Sequence, residues 1–243
     1  MRKGTSSALT MGLGLAALVS LTATVILGLT LPKTIEQEEY SRLIAIHPGV
    51  AWTAYVAFGV TAIASLLWLV PRTRSKTWDL LAGASAEVGV VFTALMLVTG
   101  SIWGRPTWGV YWVWDARLTL SALMLMLLLG YLALRRVPAG DDVRARRSAF
   151  AALLSVLVIP VNHYAVEWWR TLHQSRSLDL TPSDDLDGEF VAAMMLGLVA
   201  FNLVYAWLTV HRVRIARLEE AREDDALAEA IEARRAEASE ARV

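Results

Sequence analysis

Long stretches without a formally charged residue alternate with short charged segments along most of the chain. The first two stretches each contain 29 residues, between Lys3 and Lys33 and between Arg42 and Arg72. The other four cover residues 80–104, interrupted only by Glu87, and residues 118–134, 148–166 and 190–211. A helix needs about 20 apolar residues to cross a bilayer core, and a stretch that is apolar on every face is typical of a buried or membrane helix. The pattern therefore predicts an all-α integral membrane bundle of six transmembrane helices.

The two ends of the chain set the predicted domain boundaries. Arg2 and Lys3 resemble the start of a secretory signal, but the apolar run that follows is far longer than the 7–15 residues of a signal peptide. We therefore expect it to be the first transmembrane helix. Residues 212–243 contain 16 charged residues among 32, which is typical of a solvated helix or a partly disordered tail. The sequence thus predicts a six-helix transmembrane domain over residues 1–211 and a charged cytoplasmic tail over 212–243.

Lysine and arginine are distributed unequally between the two sides of the predicted bundle. Thirteen lie near the helix ends on the side of the termini, apart from four further arginines in the tail. Six lie on the other side, namely Lys33, Arg42, Arg105, Arg117, Arg170 and Arg176. Positive residues accumulate on the cytoplasmic side of membrane proteins. Both termini are therefore predicted to be cytoplasmic, and segments 31–42, 104–117 and 166–189 are predicted to lie outside.

The composition agrees with a membrane protein and excludes several kinds of chemistry. Hydrophobic residues make up 56% of the chain and charged residues 19%, against roughly 25% charged in soluble domains. Twenty-three basic residues balance twenty-three acidic ones, so no basic field favours nucleic acid. The chain has no cysteine, which excludes disulfides, thiolate metal sites, Fe–S clusters and thiol catalysis.

Two histidines fall at matching depths on the predicted outer side. His47 follows Arg42 by five residues, near the outer start of helix 2, and His163 lies roughly 24 Å along helix 5 from Arg147 at about 1.5 Å per residue. Either histidine alone could simply bond a neighbouring helix, but ionisable groups in membrane segments are functional candidates. Two at one depth suggest a pair of opposed imidazole ligands. Pro160, three residues before His163, is expected to bend helix 5.

Tryptophan is concentrated on the same side of the predicted bundle. Of ten tryptophans, seven lie near the outer ends, namely Trp52, Trp103, Trp108, Trp112, Trp114, Trp168 and Trp169. An ordinary aromatic belt occupies both interfaces, so anchoring alone does not explain this asymmetry. A short interfacial helix after Pro106 would put Trp108 and Trp112 on one face. Such a face is a flat apolar shelf, with Asp115 and Arg117 as its polar edges.

A flat ligand that takes two imidazoles is haem. Its iron binds nitrogen ligands above and below the ring, and the macrocycle needs apolar cover. Arg105, Arg117 and Arg170 could supply cations for the propionates. A non-haem metal is less favoured, because few other imidazoles and no clustered carboxylates accompany the pair. His173 is expected to be a surface residue of the outer loop, and Glu87 is expected to be a structural residue that bonds a neighbouring helix.

The motifs themselves resemble a known family. Residues 108–119, with Trp108, Trp112, Trp114, Asp115 and Arg117, resemble the tryptophan-rich WWD motif of haem-handling proteins. Residues 163–174, which contain His163, Glu167, Trp168, Trp169 and His173, resemble the second signature of CcmC, the haem exporter protein C family of cytochrome c maturation. The resemblance runs from about Ser41 to the end of helix 6 and includes residues 98–104. His47 is followed by Pro48-Gly49-Val50, where family members often have Val-Pro.

The resemblance implies a fold and a set of partners. Family members have six helices with the WWD segment outside, which here is the loop of about residues 104–118. The resemblance further implies that His47 and His163 are the axial ligands of haem b and that the loop, with Trp103, holds the macrocycle. Glu167, Trp168 and Trp169 would form a second outer loop at the site. The implied partners are the haem chaperone CcmE, the ABC-type subunits CcmA and CcmB, and the small subunit CcmD. The location is the bacterial inner membrane, with the haem site facing the periplasm or the exterior.

Three functions fit these observations. The favoured one is a non-enzymatic protein that presents or exports haem at the outer face and delivers it to the chaperone. The second is a b-type membrane cytochrome in quinone-linked electron transfer, which could use the same histidine pair. The third is a haem–cytochrome c ligase, although WWD proteins with that role are larger and have further histidines.

Overall fold

Seven α-helices and one short 3₁₀ helix form the computed structural model, which describes residues 7–35, 37–173 and 187–240. The 3₁₀ helix covers Glu39–Ala45. The α-helices are α1 (Ala8–Thr30), α2 (His47–Leu69), α3 (Lys76–Trp108), α4 (Ala116–Arg136), α5 (Asp141–Ser155), α6 (Val158–Trp168) and α7 (Gly188–Glu240). Helices account for all the regular structure of these described residues, which contain no β-strand, so the all-α prediction is confirmed.

Six segments among the described residues are long and apolar enough to cross a membrane. They correspond one to one with the six stretches predicted from the charge pattern, because α5 and α6 together form a single span over Asp141–Trp168. α7 continues well beyond the apolar stretch, and its exposed part contains most of the charged tail. The charged tail is therefore helical as far as Glu240, and the last three residues lie outside the described part.

The fifth span is interrupted where Pro160 leads us to expect a bend. α5 ends at Ser155 and α6 begins at Val158. Proline has no backbone N–H, so Pro160 cannot donate to the carbonyl of Val156 four residues earlier. That carbonyl instead accepts from the N–H of Ile159 at 3.1 Å. The tightened turn separates the two helices, and α6 begins a new segment that includes His163.

Helix α2 lies at the centre of the bundle. Its buried residues Val50, Ala54, Ala57 and Phe58 belong to one core cluster with side chains of α3 to α7. Many of these residues are alanine, and small residues let membrane helices approach closely. α1 is peripheral and packs along α7, where Gly14 lies against the ring of Trp207. The central position of α2 brings its first turn into contact with several other helices.

The start of α2 is fixed by a close crossing with α7. A Cβ atom added to Gly197 would lie 1.9 Å from the carbonyl oxygen of Ala45, and one added to Gly49 would lie 2.8 Å from the backbone of Gly197. No side chain other than hydrogen fits at this crossing. Two glycines thus allow α7 to pass directly against the segment that carries His47.

Two sets of ion pairs join the helices away from the His47 end of the bundle. Asp79 of α3 accepts two hydrogen bonds from Arg135 of α4, at 2.6 and 2.9 Å, and lies 3.5 Å from Arg144 of α5. Glu87 of α3 pairs with Arg212 of α7. The expectation that Glu87 bonds a neighbouring helix is confirmed.

The predicted interfacial helix after Pro106 is wrong. α3 continues through Pro106 to Trp108 and ends where Gly109 adopts a left-handed conformation with φ of +78°. Pro106 lies in the last turn, where its missing N–H removes a single helical hydrogen bond. Gly109 can adopt a positive φ without steric cost, and its N–H donates to the carbonyl of Arg105 at 3.0 Å. Trp108 is therefore helical, whereas Trp112 lies in the extended loop that leads to α4.

Candidate functional site

A cavity of about 340 Å³ opens at one end of the bundle. The start of α2, the end of α3, the start of α4 and the middle of α6 surround it, together with the loop before α4 and residues 172–173 after α6. This is the end that the predicted topology assigns to the outer side. Six of the thirteen predicted site residues, all of which the structure describes, line the cavity: His47, Trp103, Trp108, Trp112, Arg117 and His163. The fold therefore brings both candidate ligand histidines to one cavity.

His47 is the first residue of α2, and α3 holds its ring. The Nδ1 atom of His47 lies 2.9 Å from the hydroxyl oxygen of Thr99. A Cβ atom added to Gly100 would lie 2.9 Å from Cε1 of the imidazole, so the ring packs directly on the glycine backbone. The indole of Trp103 meets the ring edge-on, with centroids 5.6 Å apart. Three residues of one segment of α3 thus determine where the imidazole lies.

His163 is positioned by a buried polar network around its neighbour Asn162. The Asn162 side chain donates to the carbonyl of Arg117 at 3.1 Å and to the hydroxyl of Ser121 at 3.0 Å, and it accepts from the hydroxyl of Tyr55. The guanidinium of Arg117 donates to the carbonyls of Asn162 and His163, at 3.2 and 3.3 Å. Asn162 is 1% exposed, so the residue at the centre of this network, which joins α2, α4 and α6, is buried. The network fixes the backbone at His163.

Tryptophans and a glutamine form the walls of the cavity near its mouth. The indole N–H of Trp103 donates to the side-chain oxygen of Gln37 at 2.9 Å. Trp108 packs on Gly104, where an added Cβ atom would come within 2.6 Å of its ring. The indole nitrogen of Trp112 is buried and has no hydrogen-bond partner among the described residues. A buried donor without a partner needs an explanation, and a turn of the Trp112 ring that brings its N–H to an acceptor bound in the cavity would supply one.

Three residues of the predicted WWD loop lie outside the cavity wall. Asp115 caps α4 by accepting from the N–H of Leu118 at 2.8 Å, and its other oxygen accepts from the N–H of Leu172 at 3.0 Å. Asp115 therefore joins the loop before α4 to the segment after α6, both of which are predicted to lie outside. Arg105 donates to the carbonyl of Gly109 and lies over the ring of Tyr111. Trp114 is 76% exposed and contacts Trp112 edge-on.

The second predicted outer segment also lies beside the cavity. Trp168 is 57% exposed and stacks on Tyr164, with centroids 5.6 Å apart, and Trp169 contacts Trp168 edge-on. Glu167 and Arg170 are exposed. The structure thus gathers these residues into an exposed aromatic surface next to the cavity mouth.

Several lining residues were missed from the sequence. His173 lines the cavity, with its ring 5.9 Å from that of Trp108, so the expectation of a surface residue is wrong. Its position in the motif of residues 163–174 was the available signal. Asn162 was detectable as a polar residue inside an apolar span. Gln37 and Tyr55 gave no signal, because only the fold brings them to the site.

A second cavity, of about 380 Å³, adjoins the first between α2 and α6. Trp52, Tyr55 and His163 line both cavities, and Val56, Ile159 and Pro160 complete the wall of the second. His163 therefore lies between a polar-edged outer cavity and a largely apolar one.

The arrangement of imidazoles limits what the site can bind. No three His, Asp or Glu side chains in the described part of the chain converge where they could hold a metal ion together. His47, His163 and His173 are therefore spread around the cavity. Imidazoles in that arrangement can contact a ligand that carries its own metal at its centre, with tryptophans covering its faces.

Comparison with known proteins gives a consistent result. Residues 3–228 match the profile of the family described as Heme exporter protein C, CcmC. Heme exporter protein C of Haemophilus influenzae is 33% identical over 192 residues, which cover 78% of this chain and 76% of that protein. The protein of the same name from Escherichia coli K12 is 36% identical over 208 residues, 83% of this chain and 81% of that protein. A ccmC-like mitochondrial protein of Marchantia polymorpha, named for cytochrome c biosynthesis, is 36% identical over 147 residues, 60% and 61% of the two chains. By both the match over nearly its whole length and these identities, the chain belongs to the haem exporter protein C family.

Proposed function

We propose that this chain is the haem-binding membrane subunit of a cytochrome c maturation system, which presents haem at the outer face of the membrane and passes it to a haem chaperone. The observation that carries the proposal is the shared cavity of His47 and His163, which come from different helices and are 116 positions apart in sequence. The names of the related proteins, as haem exporters and as a cytochrome c biosynthesis protein, support the same assignment.

The chemistry of the cavity fits haem b. Its volume of about 340 Å³ falls within the range of roughly 300–1,000 Å³ for small-molecule and cofactor sites. His47 and His163 would be the axial ligands, and Trp103, Trp108 and Trp112 would cover the macrocycle. Arg117 and the unpartnered indole N–H of Trp112 would meet the propionates. Arg105 and Arg170 lie outside the wall and would act on the propionates only at the mouth.

The position of the cavity supports transfer rather than storage. It lies at an end of the bundle and is bordered by loops, so a bound ligand can leave without passing through the helix core. The exposed residues Trp114, Trp168 and Trp169, which neighbour lining residues in the chain, are aromatic side chains on which a partner could dock. We propose that this partner is CcmE, and that CcmA, CcmB and CcmD complete the complex. The chain itself would hold and hand over haem without catalysing a reaction, in the bacterial inner membrane with its site towards the periplasm.

The histidine inventory favours haem transfer over electron transfer across the membrane. The chain has four histidines, all in the described part, and His47, His163 and His173 line the one cavity. The fourth, His211, packs against Trp207 on α7. A second haem on the opposite side, which b-type cytochromes often use for transmembrane electron transfer, would have no imidazole pair.

The test is purification of the full chain in nanodiscs, haem titration followed by visible spectroscopy, and addition of the purified apo-chaperone. We expect a bis-imidazole spectrum and loss of haem to the chaperone. His47→Ala and His163→Ala should change the spectrum and impair transfer, and external imidazole should restore coordination in part. His211→Ala is the matched control and should behave like the parent chain. Haem that stays bound and is reduced by a quinol would instead support a b-type cytochrome.

A further inference from the structure

We propose that Thr99 is a positioning residue that holds His47 in a single tautomer, with its proton on Nδ1 and its Nε2 lone pair free for iron. This inference rests on the proposed function, because it assigns the coordinating atom of one of the two proposed ligands. Thr99 lies in residues 98–104, which share the family resemblance, but the resemblance assigns it no role.

The direction of the hydrogen bond follows from the two shortest contacts of the Thr99 hydroxyl; a third, to the carbonyl oxygen of Met96, is 3.4 Å long. The hydroxyl oxygen lies 2.7 Å from the carbonyl oxygen of Leu95 and 2.9 Å from Nδ1 of His47. A carbonyl oxygen can only accept, so the single hydroxyl proton lies between Thr99 and Leu95. The hydroxyl oxygen then has lone pairs left for His47, and Nδ1 must supply the proton of the second bond. The reverse assignment would leave two oxygens 2.7 Å apart with no proton between them.

Steric contacts keep the ring where this bond can form. Gly100, the next residue of α3, leaves room for Cε1 of the imidazole, which any larger residue would displace. The indole of Trp103, one turn further along α3, contacts the same imidazole edge-on. Thr99, Gly100 and Trp103 therefore act on one ring from consecutive turns of α3. The carbonyl of Leu95, as part of the helix backbone, fixes the orientation of the hydroxyl.

This arrangement has the form of an outer-shell interaction at a metal site. A ligating histidine generally donates its other N–H to an acceptor, which fixes the tautomer and ring orientation and raises the basicity of the coordinating nitrogen. Loss of such a partner typically weakens metal binding about 10-fold to 100-fold. A more basic imidazole favours ferric over ferrous iron, so loss of the Thr99 bond should also raise the reduction potential of bound haem.

The experiment compares Thr99→Val with Thr99→Ser in the full chain in nanodiscs. Valine keeps the shape of threonine without the hydroxyl, whereas serine keeps the hydroxyl. Haem affinity is measured by titration, and the midpoint potential by spectroscopic redox titration. The control is Thr93→Val, because the Thr93 hydroxyl makes the same helical contact, to the carbonyl of Gly89 at 2.7 Å, and does not line the cavity. Thr99→Ala provides a second variant without the hydroxyl.

We expect Thr99→Val and Thr99→Ala to bind haem about 10-fold more weakly, with a raised potential, and Thr99→Ser and Thr93→Val to match the parent chain. In a His47→Ala background, Thr99→Val should have no further effect, because Thr99 acts through His47. Equal losses in Thr99→Ser and Thr99→Val, or in Thr93→Val, would overturn the assignment, as would an unchanged potential in Thr99→Val. Failure of the parent chain itself to bind haem would reject the proposed function instead.

Discussion

Replacing Trp112 with phenylalanine removes one buried hydrogen-bond donor from the cavity wall and keeps an aromatic ring in its place. The indole nitrogen of Trp112 is inaccessible to solvent and has no partner among the described residues. Its neighbour Trp114 is 76% exposed and does not line the cavity. Trp114→Phe is therefore a matched control for the same change in residue type.

The expected magnitude follows from the two states of the indole N–H. Without ligand, a buried donor that lacks a partner costs about 1–3 kcal/mol. With a carboxylate in the cavity, the same N–H would make a hydrogen bond to a charged group, worth about 1.5–3 kcal/mol. Since 1.4 kcal/mol corresponds to a factor of about ten, Trp112→Phe should weaken haem binding about 10-fold to 100-fold. The stability of the free protein should change little, because relief of the unpaired donor offsets the smaller ring.

The assay titrates each variant with haem and with its dimethyl ester, in which both propionate carboxylates are esterified. The parent chain should bind the ester more weakly than haem. In Trp112→Phe the difference between the two ligands should shrink, because the donor that distinguishes them has been removed. Trp114→Phe should keep the difference of the parent chain. Thermal unfolding of the ligand-free variants checks that the folded state is retained.

An undiminished preference for haem over the ester in Trp112→Phe would refute this reasoning. It would mean that the indole N–H does not meet a carboxylate, and that the arginines account for any preference. Trp112 would then serve only as a flat apolar surface, in which case Trp112→Leu should still impair binding.

Three further predictions concern the scaffold. Asn162→Leu leaves the hydroxyls of Tyr55 and Ser121 without their buried partner, at a cost of about 1–3 kcal/mol in the free energy of unfolding. The Tm should therefore fall more than in the control Asn202→Leu, because the Asn202 side-chain amide donates only within its own helix, to the carbonyl of Leu198. Gly197→Ala should cost about 1–3 kcal/mol or more through overpacking against Ala45. Gly59→Ala, with nothing within 4 Å of the added Cβ, should unfold at the temperature of the parent chain or slightly above it, because alanine favours the helix over glycine. Reporter fusions after residues 38, 110 and 178 should report the outer side and those after residues 74, 142 and 225 the cytoplasm; an inverted fusion at 74, 110 or 142 would contradict the predicted topology.

The helical spans could be predicted from the sequence because membrane insertion depends on local properties. Apolar length and the absence of charge determine where a helix can cross, and neighbouring segments hardly alter that requirement. The bend near Pro160 was predictable for the same reason, since a missing N–H acts on its own turn. The end of α3 was not: whether the chain continues past Pro106 depends on the left-handed turn at Gly109, and the sequence alone also allows a new helix there.

The candidate site was only partly predictable. The motifs at residues 108–119 and 163–174 pointed to the correct end of the bundle, but they did not separate the residues that line the cavity from those beside it. Trp112 faces the cavity and Trp114 solvent, and Asp115 joins two loops. These differences depend on the direction of the backbone within one short loop. Residue composition and spacing do not predict that direction.

The sequence alone determined that the chain forms six apolar spans and concentrates histidine and tryptophan on one side, because both are properties of individual segments. Only the tertiary structure decided that α2 and α6 present His47 and His163 to one cavity. That decision depends on contacts between residues far apart in the chain, such as the backbone crossing of Gly197 with Ala45 and the network of Asn162 with Tyr55 and Ser121. Close packing and the need to pair every buried polar group select one arrangement of helices from the many that equal spans would allow.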